Sequence, residues 1–594
     1  MPLDALEPPP IPPHAAPHGD PGAHKKDVEA GGAKDEAAPS RSKRAIKALK
    51  RHGAFVGPGV IASVAYLDPG NWSTDLAAGS QFGYSHLFVI LFAGLMALLF
   101  QILSTRLGCV SDYDLATHCR FALHDRDSRY KLVYRWGLLY PLYVMAEIGI
   151  IFTDLAELLG SAIAINLLIP AIPLYGAVLL TSADVFLILL LFNQYPTRTV
   201  TRSMRVFELL IGVLVLCVLG AFVALLVKVS PVWKDVFLGY VPRSGIIADG
   251  GIYIAVGIIG ATVMPHAFYI GSKMATMRRL KPEDYGESSA AYEGGDVASD
   301  DDYDDDDAWQ KKHDAQRRSS STGSPEEFID RRSRAQRYTD PTLACVEAHL
   351  THASLDIAGS LLGFAVVVNS AILILGAAVF YYGDGRSSNP DGGGVSDLFD
   401  AYDLVKQYLG QAFAYLFAVA LLAAGQSASL TVTLSGQIVS EGFINWRTKP
   451  WKRRLITRCI GIVPSLAVAL SVGRQGIDTL LVASQVALSI VLTFVLMPLI
   501  IFCAQHSIMS IPIDPLAPPA PAPPPPPSEA APLPLRARAL EFARALNPLR
   551  RRRAPAGTVS YASPVWLVWL CGMLWLLIGI ANVYALYDVG QHGA

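Results

Sequence analysis

An aspartate, a proline and a glycine in succession, Asp68-Pro69-Gly70, stand inside the first strongly apolar run of this chain. Few folds tolerate that arrangement. A charged side chain at mid-membrane depth costs about 2.5–3.5 kcal/mol on insertion scales, so it normally marks a function. Pro69 has no N–H to give the carbonyl four residues back, and that carbonyl belongs to Ala65. Backbone opened in this way inside a bilayer is tolerated only where protein buries it or water and ligand reach it. The segment reads either as a kinked helix with a buried polar cap or as a half-helix that holds an ion.

A second run repeats the pattern. Gly260-Ala261-Thr262-Val263-Met264-Pro265-His266 interrupts another apolar stretch, and Pro265 frees the carbonyl of Ala261. In both runs an alanine carbonyl lies four residues before a proline, with a potential ligand side chain directly ahead of that proline. Matched interruptions in two halves of a membrane protein point to a midplane site of the secondary-transporter kind.

The remaining sequence supplies the membrane. Of 594 residues, 52% are hydrophobic and 17% charged, against about 25% charged in soluble domains. The apolar residues come in blocks near or above the ~18 that make a spanning helix, which predicts an all-α integral membrane protein with eleven spans. Residues 1–52 lack an apolar leader and read as a disordered cytosolic tail. Spans 1–6 fall in 53–276 and spans 7–10 in 350–505, with span 8 long enough to need an amphipathic or extramembrane part. Between them, 277–349 is an acidic loop, Asp304 to Asp307 included, too polar to fold alone and a candidate for a regulatory contact. Residues 506–562 form a proline-rich and basic cytosolic linker; 563–594 hold span 11 and a short C-terminus.

The Lys and Arg clusters fall in the N-terminal tail and in the loops after spans 2, 4, 6, 8 and 10. The positive-inside rule then places the N-terminus in the cytosol, the chain lying in the plasma membrane or an endosomal or vacuolar one. The breaks occupy spans 1 and 6, each opening a five-helix unit, and the two units enter from opposite sides. That is an inverted repeat. Seven scattered cysteines predict no structural disulfides. No nucleophile–base pair or phosphate-cradling loop is visible, so neither an enzyme nor a nucleic-acid partner is expected.

The side chains at the breaks narrow the ligand. Asp68 offers an anionic oxygen, Asn71 an amide oxygen, Ala65 and Ala261 two freed carbonyls, and Met264 a thioether. Oxygen alone suits Mg²⁺, Ca²⁺ or Na⁺; adding sulfur shifts preference toward Mn²⁺, Fe²⁺ and similar ions. His266 is either a proton-exchanging neighbour or a packed, hydrogen-bonded histidine. Glu147, Asp154 and Glu157, at i, i+7 and i+10, lie on one helical arc. Balanced by Arg453, Arg454 or Arg458, they form either a proton route or structural ion pairs.

Asp68-Pro69-Gly70-Asn71 and Ala261-Thr262-Val263-Met264-Pro265-His266 resemble the two signatures of the natural resistance-associated macrophage protein (Nramp) family. Gln101-Ile102-Leu103-Ser104, Thr153 to Glu157, Asn369 to Leu373, Ala424 to Ser427 and Gly436 to Phe443 are similar to it too, as is Trp451 to Arg458. The resemblance implies a proton-coupled divalent metal transporter of LeuT-type 5+5 fold, with spans 1 and 6 broken. It implies metal binding by Asp68, Asn71, Met264 and the carbonyls of Ala65 and Ala261, with Gln485 approaching in one conformation. It further implies proton movement through Asp68, His266 and the span 3 acids. Ala267, Val491 and Thr493 depart from the usual polar residue, Gln and Pro. No cofactor is expected, since the Mn²⁺ or Fe²⁺ is cargo moved into the cytosol. The rival readings are a metal-sensing receptor signalling through the acidic loop and a Na⁺-coupled carrier of organic solutes, which Asp68 and Met264 suit poorly.

Overall fold

The computed structural model describes residues 68–124, 131–181, 222–277, 341–383, 397–446, 450–513 and 557–592, with single positions at 213, 216, 219, 220 and 280. Ala65 and the rest of span 1 before Asp68, most of spans 4 and 5, the N-terminal tail, most of the acidic loop and most of the proline-rich linker lie outside them.

Among the described residues the chain is helical apart from one short strand pair. In order come α1 (Pro69–Phe82), α2 (Leu87–Ser111), α3 (Leu115–Leu123), α4 (Lys131–Leu168), α5 (Trp233–Gly239), α6 (Gly251–Thr262) and α7 (Pro265–Ala275). There follow α8 (Leu343–Tyr381), α9 (Leu398–Leu409), α10 (Gln411–Ile444), α11 (Pro450–Ser471), α12 (Arg474–Ala504) and, after the strands, α13 (Val565–His592). Seven stretches among the described residues are long and apolar enough to cross a membrane, with Pro69–Ser111 joining α1 to α2. The apolar part of α11, Leu455–Ser471, is shorter.

Span 6 is broken where Pro265 requires it. Val263 leaves helical geometry at φ −98°, ψ 66°, and Met264 is extended at φ −68°, ψ 124°. Span 8 divides at Gly410, whose φ of 95° suits a residue without Cβ. The piece before it, α9, is the amphipathic part that the length of span 8 demanded. A capping box between Asp397 and Asp400 starts it.

Small residues let the helices touch around the breaks. A Cβ on Gly160 of α4 would strike the Pro69 ring, and one on Gly79 would strike the Leu373 carbonyl of α8. Gly376 of α8 meets the Leu76 carbonyl in the same way at 2.9 Å. Close backbone approach of this kind is the usual basis of helix association in lipid. Trp72 fills the space behind α1, its ring 4.9 Å from Phe222 and 5.4 Å from Phe417.

Strands β1 (Ser510–Pro512) and β2 (Thr558–Ser560) pair antiparallel with Ile511 opposite Val559. The two ends of the proline-rich linker are therefore tied together. No periodic signal marks so short a ladder.

Candidate metal site

Asp68 is the N-cap of α1. Its backbone is extended at φ −68°, ψ 159°. Its Oδ2 accepts from the Gly70 N–H at 3.2 Å and its Oδ1 from the Asn71 N–H at 3.1 Å. Aspartate at the cap followed by proline at the first helical position is a strong start signal. The residues that interrupt the span thus also begin a half-helix, whose positive end favours the carboxylate. Met264 holds the equivalent place before α7, with Pro265 next, but without a side-chain cap. Asp68, Asn71 and Met264 are all fully buried.

The freed carbonyl of Ala261 faces the first break. Asn71 Nδ2 donates to it at 3.0 Å, and the same NH₂ donates to Asp68 Oδ1. One amide group therefore joins the two interruptions. Two acceptors flank this end of the amide, so it must be the nitrogen end. Asn71 Oδ1 turns instead to α8, where Asn369 Nδ2 donates to it at 3.3 Å. In this conformation the Asn71 amide presents its NH₂, not its oxygen, to Asp68 and Ala261. A carboxylate and a carbonyl converging on one point need a donor between them, and the NH₂ supplies it.

Gln485 reaches the same place from α12. A Cβ on Gly70 would collide with its amide and lie 2.9 Å from Asp68 Oδ2, so the glycine admits the glutamine beside the carboxylate. Gln485 Nε2 donates to Ser484 Oγ at 3.1 Å, while Oε1 is buried without a partner among the described residues. Asp68, Asn71, Ala261, Met264 and Gln485 are thus arranged around the breaks. Ala65 lies outside the described residues.

His266, two residues into α7, contacts Thr153 Oγ1 of α4 through Nδ1 at 3.4 Å, and its Nε2 is buried without a partner among the described residues. The acids of α4 run from there toward α11. Arg453 donates to Glu147 at 2.5 and 2.6 Å. Arg458 Nη1 sits 3.4 Å from Asp154 Oδ1 and also donates to the Asp154 carbonyl, while its Nη2 donates to Ser429 Oγ at 2.9 Å. Glu157 is fully buried. Of the two readings left open for these acids, Glu147 and Asp154 are ion-paired in this conformation. The Arg454 side chain lies outside what is described.

Three polar positions had no role assigned from the sequence. Asn369 holds Asn71 from α8. Asp75 is buried on α1 with both carboxylate oxygens unpartnered among the described residues; its seven-residue spacing from Asp68 put it on the same face and was readable. Asp478 of α12 accepts from Ser73 Oγ at 2.5 Å, a tertiary pairing with no local signal. The departures have structural places as well. Val491 packs on Gly149. Thr493 binds α13, its carbonyl accepting from Trp575 Nε1 at 2.7 Å and its hydroxyl from Asn582 Nδ2 at 3.1 Å.

The chain is similar to known proteins over most of its length. The family model described as natural resistance-associated macrophage protein-like matches residues 59–299 and 328–511. The manganese transporter pdt1 of Schizosaccharomyces pombe is 38% identical over 470 residues, covering 79% of this chain and 78% of that protein. The iron transporter SMF3 of Saccharomyces cerevisiae is 36% identical over 468 residues, covering 78% and 85%. A solved manganese transporter of Eremococcus coleocola, in complex with an aromatic bis-isothiourea substituted compound, aligns with TM-score 0.56 at 25% identity, covering 94% of this chain and 97% of that one.

Proposed function

The chain belongs to the natural resistance-associated macrophage protein family and has its LeuT-type fold; on that premise we propose that it is a proton-coupled secondary transporter moving divalent transition metal ions such as Mn²⁺ and Fe²⁺ into the cytosol. The observation that carries the reading is the Asn71 amide bridging Asp68 of one broken span to the Ala261 carbonyl of the other. A freed carbonyl of the second break and the carboxylate of the first converge where a cation can replace a donor.

In this proposal Asp68 supplies the charge, Asn71 and Ala261 neutral oxygens, and Met264 the soft ligand that disfavours Ca²⁺ and Mg²⁺. Ala65 adds a carbonyl from the other side of the first break, and Gln485 closes over the ion in one state. Metal on Asp68 repels a proton there, which links the two cations in one cycle. His266 and Thr153 lead from the site to α4, whose acids and arginines rearrange with gating. Alternating access is motion of the broken spans about their prolines. Eleven spans with a cytosolic N-terminus fit the distribution of Lys and Arg.

The test is uptake into proteoliposomes, Mn²⁺ against Ca²⁺, with and without a pH gradient. Mn²⁺ should enter faster under an inward proton gradient, and Ca²⁺ should compete poorly. Binding without uptake would instead favour a metal-sensing receptor, and uptake driven only by Na⁺ an organic-solute type of coupling.

A further inference from the structure

Asn369 is fully buried on α8 and uses only one end of its amide among the described residues. Nδ2 donates to Asn71 Oδ1, while Oδ1 has no partner. A buried amide kept only to fasten two helices would satisfy both ends, because an unmet carbonyl costs free energy. The unmet oxygen lies on the residue that fixes which end of Asn71 faces the break. Any cation coordinated by both Asp68 and Ala261 must displace the Asn71 NH₂ that stands between them. That NH₂ then needs an acceptor.

We infer that Asn369 is a positioning residue for the cargo: its NH₂ holds Asn71 nitrogen-inward, and its carbonyl oxygen receives the Asn71 NH₂ when a cation arrives. The two amides turn together. Asn71 then presents Oδ1 to the metal, as its role as a ligand requires, and neither amide loses its partner. The helix that carries Asn369 fits this duty. Its central part, Val366–Gly376, lies between two π-helical turns, Leu361–Ala365 and Ala377–Tyr381. Such turns recur at functional sites in helices. The same segment meets α1 backbone to backbone at Gly79 and Gly376, so Asn369 follows Asn71 when α1 tilts.

The inference rests on the proposed metal site, and the experiment separates the two. Asn369→Asp can accept from Asn71 but cannot donate to it, so it favours the oxygen-inward state. Mn²⁺ binding to the full chain in detergent is followed by the electron paramagnetic resonance signal of free Mn²⁺, which reports affinities into the millimolar range. Asn369→Asp should bind Mn²⁺ about tenfold more tightly, or about 1.4 kcal/mol, and should show lower kcat with lower KM because release slows. In an Asn71→Ala background the same change should alter affinity less than about twofold. Tightening of equal size in both backgrounds means added charge alone and overturns the inference, as does unchanged affinity in the wild-type background. If Asn369→Asp does not fold, Asn369→Glu, also unable to donate, takes its place with the same expectations. Wild-type protein that fails to bind Mn²⁺ removes the metal site itself, and the inference with it.

Discussion

The two broken spans look alike in sequence and differ in how their polar groups are satisfied. At the first, the carboxylate is served locally: Asp68 accepts from the N–H groups of its own half-helix. The second has no such cap, and its freed Ala261 carbonyl is served by Asn71 from across the gap. One break can therefore hold charge unaided, whereas the other contributes neutral and soft groups and depends on its partner. Charge at the first should decide whether a cation binds at all, and chemistry at the second should decide which cation.

Removing the charge gives the largest expected effect. Asp68→Ala deletes the one ionisable side chain of the proposed ligand set, and losing one partner of a buried charged contact costs about 3–5 kcal/mol. Mn²⁺ uptake in proteoliposomes should fall more than about a hundredfold. Uptake at the wild-type rate would place the site elsewhere. Next comes Pro265→Ala, which returns an N–H to Ala261 and removes a residue that disfavours helix interiors by about 3 kcal/mol. Span 6 should then close toward a continuous helix. The protein should melt at a higher temperature while transporting more slowly, and a drop in both quantities would show that the break is held open by packing rather than by the proline.

Much of this was legible in the residues because proline and aspartate act locally. Pro69 and Pro265 each remove one identifiable hydrogen bond, so the breaks and the freed Ala261 carbonyl followed from chemistry within a single turn. The amphipathic start of span 8 followed from its excess length. Orientation of the Asn71 amide did not follow, since it depends on Asn369, which is 298 positions away. Nor did the pairing of Asp154 with Arg458, whose partners lie on different helices. The sequence narrowed the cation to three arginines, and only packing chose between them.

Met264→Ala tests the soft half of the comparison. The thioether is the group at the breaks that a hard cation gains least from, so its loss should leave Mn²⁺ uptake measurable while letting Ca²⁺ and Mg²⁺ compete. A fall of about tenfold in Mn²⁺-over-Ca²⁺ preference corresponds to about 1.4 kcal/mol. Unchanged selectivity would mean that the second break is defined by its carbonyl alone.

The far ends of the two half-helices sharpen the contrast at the smallest scale. The first ends at Gly83 beside Tyr381 and Tyr382. The second ends against α3, where Ser272 Oγ accepts from the Leu115 N–H at 3.0 Å and Lys273 sits 3.8 Å from Asp114. In α3, burial pushes the His118 imidazole down to about 4, although Asp114 nearby opposes this. Its Nε2 contacts Ser111 Oγ at 2.7 Å. With the folded value below the unfolded one of 6.5, the unfolded chain binds more protons between those limits. The stabilisation is complete above pH 6.5 and is lost as pH falls toward 4, by about 1 kcal/mol between pH 7 and 5.5. His118→Gln should flatten that part of the melting-temperature profile in detergent, whereas changes at Tyr381 or Tyr382 should leave it in place. An identical acid slope in His118→Gln would mean that the anchor of the second half-helix is no more acid-sensitive than that of the first.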